Sequence, residues 1–166
     1  MIEFQKLYEA NAADIYRYAY WLTGDIFEAE DIASETIVRA WTRYNKIRTE
    51  TLKAYLFKIA RNIYLQNVRK RKRFTTLTDV HISNVLRPDI ETEIHFELGE
   101  IEKNLMSIVE PDRSAFYMRI NHELPYAEIA RVLDLTESSV KVKIHRVRKK
   151  LIRLSLEREK NNENNS

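Results

Sequence analysis

Leu124-Pro-Tyr-Ala-Glu-Ile-Ala-Arg-Val-Leu-Asp-Leu-Thr-Glu-Ser-Ser-Val-Lys-Val-Lys-Ile-His-Arg-Val-Arg-Lys-Lys-Leu151 holds two helical patterns separated by a short turn. Pro125 suits a first helical turn, where its missing N–H is not needed. Ile129, Ala130 and Leu133 give a short first helix one face to bury. Asp134-Leu-Thr is a tight connection, with Leu135 placed to plug the angle between the helices and Thr136 placed to cap the second. That second helix carries Val140, Ile144, Val147 and Leu151 at steps of four, three and four, which is one apolar stripe. Its other faces present Ser139, Lys141, Val142, Lys143, His145 and Arg146. A helix that docks by an inner stripe and turns cations and small polar groups outward can reach base edges and phosphates in a major groove. The pattern predicts a DNA-reading helix-turn-helix. The plain alternative is a helical hairpin whose cations are merely solvated.

The rest of the chain is also helical in pattern. Two glycines and three prolines in 166 residues are too few for a barrel, a sandwich or a Gly-rich phosphate loop. Apolar residues Phe4, Leu7, Tyr8, Ile15, Tyr18, Ala19 and Leu22 fit one or two amphipathic helices over 2–22. Gly24 can end that run in the left-handed conformation, and Asp25 can cap the next helix, roughly 26–43. That helix is expected to bury Ile26, Ala29, Ala33, Ile37, Ala40 and Trp41, with Tyr16, Tyr18, Tyr20 and Trp21 in the same core. Residues 44–51 read as a polar loop, and Thr51 can cap a helix through Leu52, Tyr55, Leu56, Ile59, Ile63 and Val68. A second helical unit starts within 91–109 and continues past Pro111. The fold class expected is all-α: two small helical bundles over 1–73 and 97–156, the second a helix-turn-helix domain, joined by a flexible linker over 74–96. The polar tail, 157–166, is expected to be disordered.

Net charge is only +3, but its distribution is uneven. Asp25 to Glu35 holds five acids and no Lys or Arg, and Arg69-Lys-Arg-Lys-Arg73 then follows as five cations in a row. Asp89 to Glu102 holds six acids, and Lys141 to Lys150 holds six cations and no acid. Two basic stripes far apart in sequence suit a polyanion gripped at two places. The acidic blocks need another purpose, either as partner surfaces or as a brake on random DNA binding.

Several function classes fall away. Without cysteine there is no disulfide, no Cys-ligated zinc and no thiol catalysis. No signal-peptide pattern opens the chain, and no apolar run approaches ~18 residues, so a cytoplasmic protein that is not membrane-embedded is expected. His81, His95, His122 and His145 have no ligand spacing, and no hydrolase triad, HExxH or Walker signature is present. No catalytic residue, metal site, cofactor or small-molecule substrate is expected.

Three ordered motifs resemble a known family. Leu22-Thr-Gly-Asp25 with Ala29-Glu-Asp-Ile-Ala-Ser-Glu-Thr-Ile-Val-Arg-Ala-Trp41 comes first. Leu52-Lys-Ala-Tyr-Leu-Phe-Lys-Ile-Ala-Arg-Asn62 with the basic run is second, and the helix-turn-helix is third. Together they are similar to the group IV, extracytoplasmic-function (ECF) sigma factors of the sigma-70 family, promoter-specificity subunits of bacterial RNA polymerase. The resemblance implies that Asp31, Ser34, Glu35 and Val38 dock on the β′ clamp helices of core polymerase, where an acidic helix would meet a basic partner. It implies a minus-ten reading and melting element at Arg48, Lys53, Tyr55, Lys58, Arg61, Asn62 and Arg69. It assigns the minus-thirty-five element to Ser139, Lys141, Val142, Lys143, His145 and Arg146, and implies the β flap and an anti-sigma factor as further partners. Tyr55 stands where the family usually has Trp, while Glu123 and Asp134 occupy positions that are often Gly.

Two other functions are compatible with parts of this pattern. A stand-alone helix-turn-helix regulator would use the first bundle for dimerisation, and a helical adaptor would use its cations only for solubility. Neither needs a polar loop followed by a basic helix at 44–73.

Overall fold

The computed structural model describes residues 3–43, 52–78 and 104–166. Every regular element among them is a helix, so the fold is all-α as the composition predicts. The chain divides into two compact units, Met1–Ser107 and Ile108–Ser166.

In the first unit, α1 (Phe4–Thr23), α2 (Ile26–Thr42) and α3 (Leu52–Thr78) pack against one another pairwise. A single helix from Phe4 covers the described part of the 2–22 region. Leu7, Asn11, Ile15, Tyr18, Ala19 and Leu22 form its buried stripe. Gly24 stops it at φ 64°, its N–H bonding the Tyr20 carbonyl, and Asp25 then accepts the Glu28 N–H at 2.9 Å to start α2. From α2 the core receives Ala29, Ile32, Ala33, Thr36, Ile37 and Ala40, and from α3 Ala54, Leu56, Phe57, Ile59, Ala60 and Ile63. Tyr18 and Phe57 meet at its centre with ring centroids 4.9 Å apart. Each such large side chain contributes about 1.5–3 kcal/mol by leaving water.

Several residues expected in this core lie at its edge: Tyr16, Tyr20, Trp21 and Ile26 are half-buried. Phe4 and Tyr8, in the first turns of α1, are exposed although Leu7 between them is buried. Trp41 is 38% exposed and takes the Phe4 ring edge-on at 5.5 Å. Its register is the cause: at 100° per residue Trp41 stands about 40° from Ile37 and 100° from Ala40, on the flank of the buried stripe in the last turn of α2. Asn11, in contrast, is buried although polar, and its amide donates to the Leu7 carbonyl.

In the second unit, α4 (Glu110–His122), α5 (Tyr126–Leu133) and α6 (Glu137–Asn164) enclose Ala115, Tyr117, Met118, Ile129, Val132, Leu133, Val140, Ile144 and Val147. Leu151, expected at the end of the stripe, is half-buried. Both turns of this unit use left-handed residues. Glu123 (φ 50°) closes α4, its N–H bonding the Arg119 carbonyl while Leu124 reaches Met118. Asp134 (φ 54°) closes α5, and the Leu135 N–H returns to the Ala130 carbonyl at 2.9 Å. Pro125 sits one residue before α5, at its N-cap. The Thr136 side chain caps α6 by accepting the Ser139 N–H at 3.2 Å.

Two helices run further than the sequence pattern suggests. α3 continues through Thr78, beyond the expected end at 73, since no Gly or Pro interrupts it. α6 continues through Asn164, over the tail expected to be disordered from 157. The packed part of α6 has already met the cost of nucleation, so each added residue need only propagate, and Leu156-Glu-Arg-Glu-Lys160 are good helix formers.

The two left-handed turn types make opposite predictions. Replacing exposed Glu123 with Gly removes a Cβ penalty and should raise stability by about 0.5–1 kcal/mol. Gly24→Ala should lower it by about 1 kcal/mol, because the new Cβ would find ordinary contact with Met106 at 3.5 Å but an unfavourable φ. Thermal unfolding of both variants checks the pair.

Candidate nucleic-acid interface

α2 separates its faces cleanly. Asp31, Ser34, Glu35 and Val38 all lie on its exposed side, at helical spacings of three, four and seven, opposite the buried stripe. Glu35 is paired with Arg39 one turn on. The same outer side carries Phe27, 67% exposed, and Val38, 54% exposed, with Trp41 beyond them. Phe27 therefore extends this exposed face by a turn. The signal was available in the sequence, since Phe27 stands four residues before Asp31.

α3 brings some of the proposed minus-ten residues together and separates others. Tyr55, Lys58, Asn62 and Arg69 follow one another at three, four and seven residues, so they share a side of the helix. Asn62 and Arg69 are exposed, Tyr55 and Lys58 half-buried, and Arg61 lies half-buried beside them. Lys53 is on the other side. Its Nζ lies 2.8 Å from Asn11 Oδ1 and 2.8 Å from Asp14 Oδ2, tying the start of α3 to α1. Arg48 lies outside the described residues, as do the loop 44–51 and the acidic stretch 89–102. In the basic run, Arg71 reaches back to Glu28 Oε2 at 2.8 Å, so the acidic start of α2 holds part of the basic end of α3.

The recognition helix, α6, is docked by Val140, Ile144 and Val147. Lys141, Val142, His145 and Arg146 are exposed, while Ser139 and Lys143 are half-buried. The exposed methyl groups of Val142 suit apolar contact with a thymine methyl, and the charged neighbours suit base edges or phosphates. Two residues outside the sequence-predicted set organise this face. The Tyr126 ring has the Arg119 guanidinium 4.4 Å and the Lys141 ammonium 5.3 Å from its centroid, a cation–π cluster beside the N-terminal turn of α6. Asp112, in the first turn of α4, accepts from Lys143 at 3.2 Å and from Arg146 at 3.1 Å. No local pattern announces either, because the partners are brought together only by the tertiary fold.

Among the described residues no group of three or more His, Asp or Glu side chains is placed to hold a metal, and no helix is long and apolar enough to cross a membrane. The placement of Lys53 carries a prediction. Lys53→Met should destabilise the first unit by about 1–2 kcal/mol, because it removes a partly buried charge pair and a partner of Asn11. Thermal unfolding reads this directly; unchanged stability with weakened DNA binding would instead make Lys53 a DNA contact.

The sequence was compared with known families and structures. Residues 7–74 match Sigma-70 region 2, and residues 105–151 match Sigma-70, region 4. The chain is 30% identical over 149 residues to the ECF RNA polymerase sigma factor SigM of Bacillus subtilis (strain 168), covering 88% of this chain and 91% of SigM. It is 25% identical over 151 residues to SigW of the same organism, covering 82% of this chain and 80% of that one. Its structure is similar to that of the sigma factor RpoE, solved in complex with the anti-sigma factor NepR from Bartonella quintana. The TM-score is 0.77 at 25% identity, covering 91% of this chain and 95% of that one. Helices that turn separate cationic faces outward, in two units that match regions 2 and 4, thus have their counterpart in known proteins: this chain belongs to the ECF sigma factors of the sigma-70 family and is an alternative sigma factor, a transcription initiation factor.

Proposed function

We propose that this sigma factor divides its work among three helix faces. Core polymerase docks on the outer side of α2, through Asp31, Ser34, Glu35 and Val38 with Phe27 as an added apolar anchor. An acidic rim around exposed apolar groups suits a basic partner surface. Tyr55, Lys58, Arg61, Asn62 and Arg69, with Arg48 of the preceding segment, engage the minus-ten element. Melting needs an aromatic or polar group to catch an unstacked base and cations to hold the backbone. The outer face of α6 reads the minus-thirty-five element. Residues 1–73 thus serve docking and melting, 97–156 serve upstream recognition, and 74–96 connect them.

The chain performs no reaction of its own, since nucleotide addition belongs to the polymerase, and it works in the cytoplasm beside the chromosome. Free protein binds promoter poorly because its acids oppose the phosphates and its two readers are not spaced. Docking fixes the spacing, and each reader then raises the effective concentration of the other. The relative solved with NepR supports regulation by an anti-sigma factor that covers these faces. The observation that carries this proposal is the coexistence of two outward cationic sides, on α3 and α6, with a distinct acidic and apolar side on α2.

Run-off transcription tests it, with this chain added to sigma-free bacterial core polymerase and pooled genomic promoter fragments. Discrete start sites that need both components are expected. Phe27→Glu with Val38→Glu should abolish them while leaving stability within about 0.5 kcal/mol, as both side chains are exposed. Absence of start sites together with specific binding by the chain alone would identify a stand-alone regulator.

A further inference from the structure

Asp112 is 2% exposed, and its two carboxylate oxygens are each taken by a cation of the recognition helix. A buried carboxylate requires such partners, so the pairing also fastens α6 to α4. Its consequences for the two cations differ. Lys143 is 19% exposed, with its ammonium spent on Oδ1. Arg146 is 61% exposed: one terminal nitrogen meets Oδ2, and most of the planar group faces outward. A lysine so held has little charge left for a phosphate. An arginine so held keeps its remaining donors in a fixed orientation, which is what bidentate contact with a base edge demands. Lys141 and His145, on the same helix, are exposed.

We propose that Asp112 is a positioning residue that sets the balance between base reading and charge reading by α6. It withholds Lys143 from the DNA backbone and aims the outer edge of the Arg146 guanidinium. It lowers affinity for arbitrary DNA and so raises the ratio of specific to non-specific binding. This rests on α6 being the DNA-facing helix, as proposed above.

The test measures binding of the full chain to a fluorescent duplex of arbitrary sequence over a range of salt concentrations. Four proteins are compared: the unaltered chain, Asp112→Asn, the triple variant Asp112→Asn with Lys143→Gln and Arg146→Gln, and Lys141→Gln. Each phosphate neutralised steepens the dependence of log K on log salt by roughly 0.9. Asp112→Asn should bind more tightly, with a slope steeper by roughly 0.9 for each cation it releases. The triple variant, which lacks both cations and leaves no buried charge unpaired, should lose that gain and return to about the slope of the unaltered chain. Lys141→Gln should flatten the slope by roughly 0.9. In the holoenzyme, Asp112→Asn should also lose several-fold in discrimination between promoter and arbitrary DNA, and Asp112→Glu should restore part of it.

The outcomes separate the two ideas. If Lys141→Gln keeps the slope of the unaltered chain, α6 is not the DNA-facing helix and both fall. If Lys141→Gln flattens the slope but Asp112→Asn leaves it unchanged, or weakens all binding alike, only the role of Asp112 is overturned. Should Asp112→Asn fail to fold, comparing exposed Lys141 with half-buried Lys143 gives the same answer. Lys141→Gln is expected to flatten the slope by roughly 0.9 and Lys143→Gln by clearly less, and equal losses overturn the proposal.

Discussion

The burial of Val140, Ile144 and Val147 against α4 and α5 is the interaction on which the second unit depends. It fixes the rotation of α6, and rotation decides which side chains face outward. A slip of one residue would turn the helix by about 100° and carry the cations toward the core. Its entry is fixed as tightly, by left-handed Asp134, by the Leu135 return to Ala130, and by the Thr136 cap. α2 follows the same rule in the first unit: Ala29, Ile32, Ala33, Ile37 and Ala40 go in, and Phe27, Asp31, Ser34, Glu35 and Val38 therefore go out.

Charge in this protein is arranged within the fold as well as on its surface. Glu28 holds Arg71, Asp14 holds Lys53, and Asp112 holds Lys143 and Arg146. Each pair joins a helix to another and draws on a cation from a stretch that sequence alone would assign to DNA. The partly buried pairs of Glu28 and Asp14 contribute modestly, whereas fully buried Asp112 would be costly without its partners. A chain that must act only with polymerase has reason to keep part of its positive charge occupied.

Much of this was legible in the sequence because it is local. The step of four, three and four along α6, the Gly24 stop, and the Asp25 and Thr136 caps all depend on residues within a few positions of each other. Glu123 and Asp134, which the family resemblance marks as positions suited to Gly, do adopt the left-handed conformation that makes Gly favourable. What was not legible depends on partners distant in the chain. Trp41 reads as core by its size, yet its register places it on the flank of the packed stripe, against Phe4. Lys53 reads as a DNA contact by its neighbourhood, and only the arrival of α1 explains its placement. Asp112 stands 31 residues before Lys143, and no periodicity links them. The tail gave a false signal of disorder because its composition is polar, while helix propagation from a packed segment needs no apolar residues.

The most direct test of divided recognition is promoter affinity, measured for the free chain and for the chain bound to core polymerase on one fragment carrying both elements. With polymerase fixing the two readers in register, affinity attributable to the sigma factor should rise on the order of 10²–10⁴-fold, and scrambling either element should remove most of that gain. Equal affinity of the free chain and the holoenzyme would contradict it.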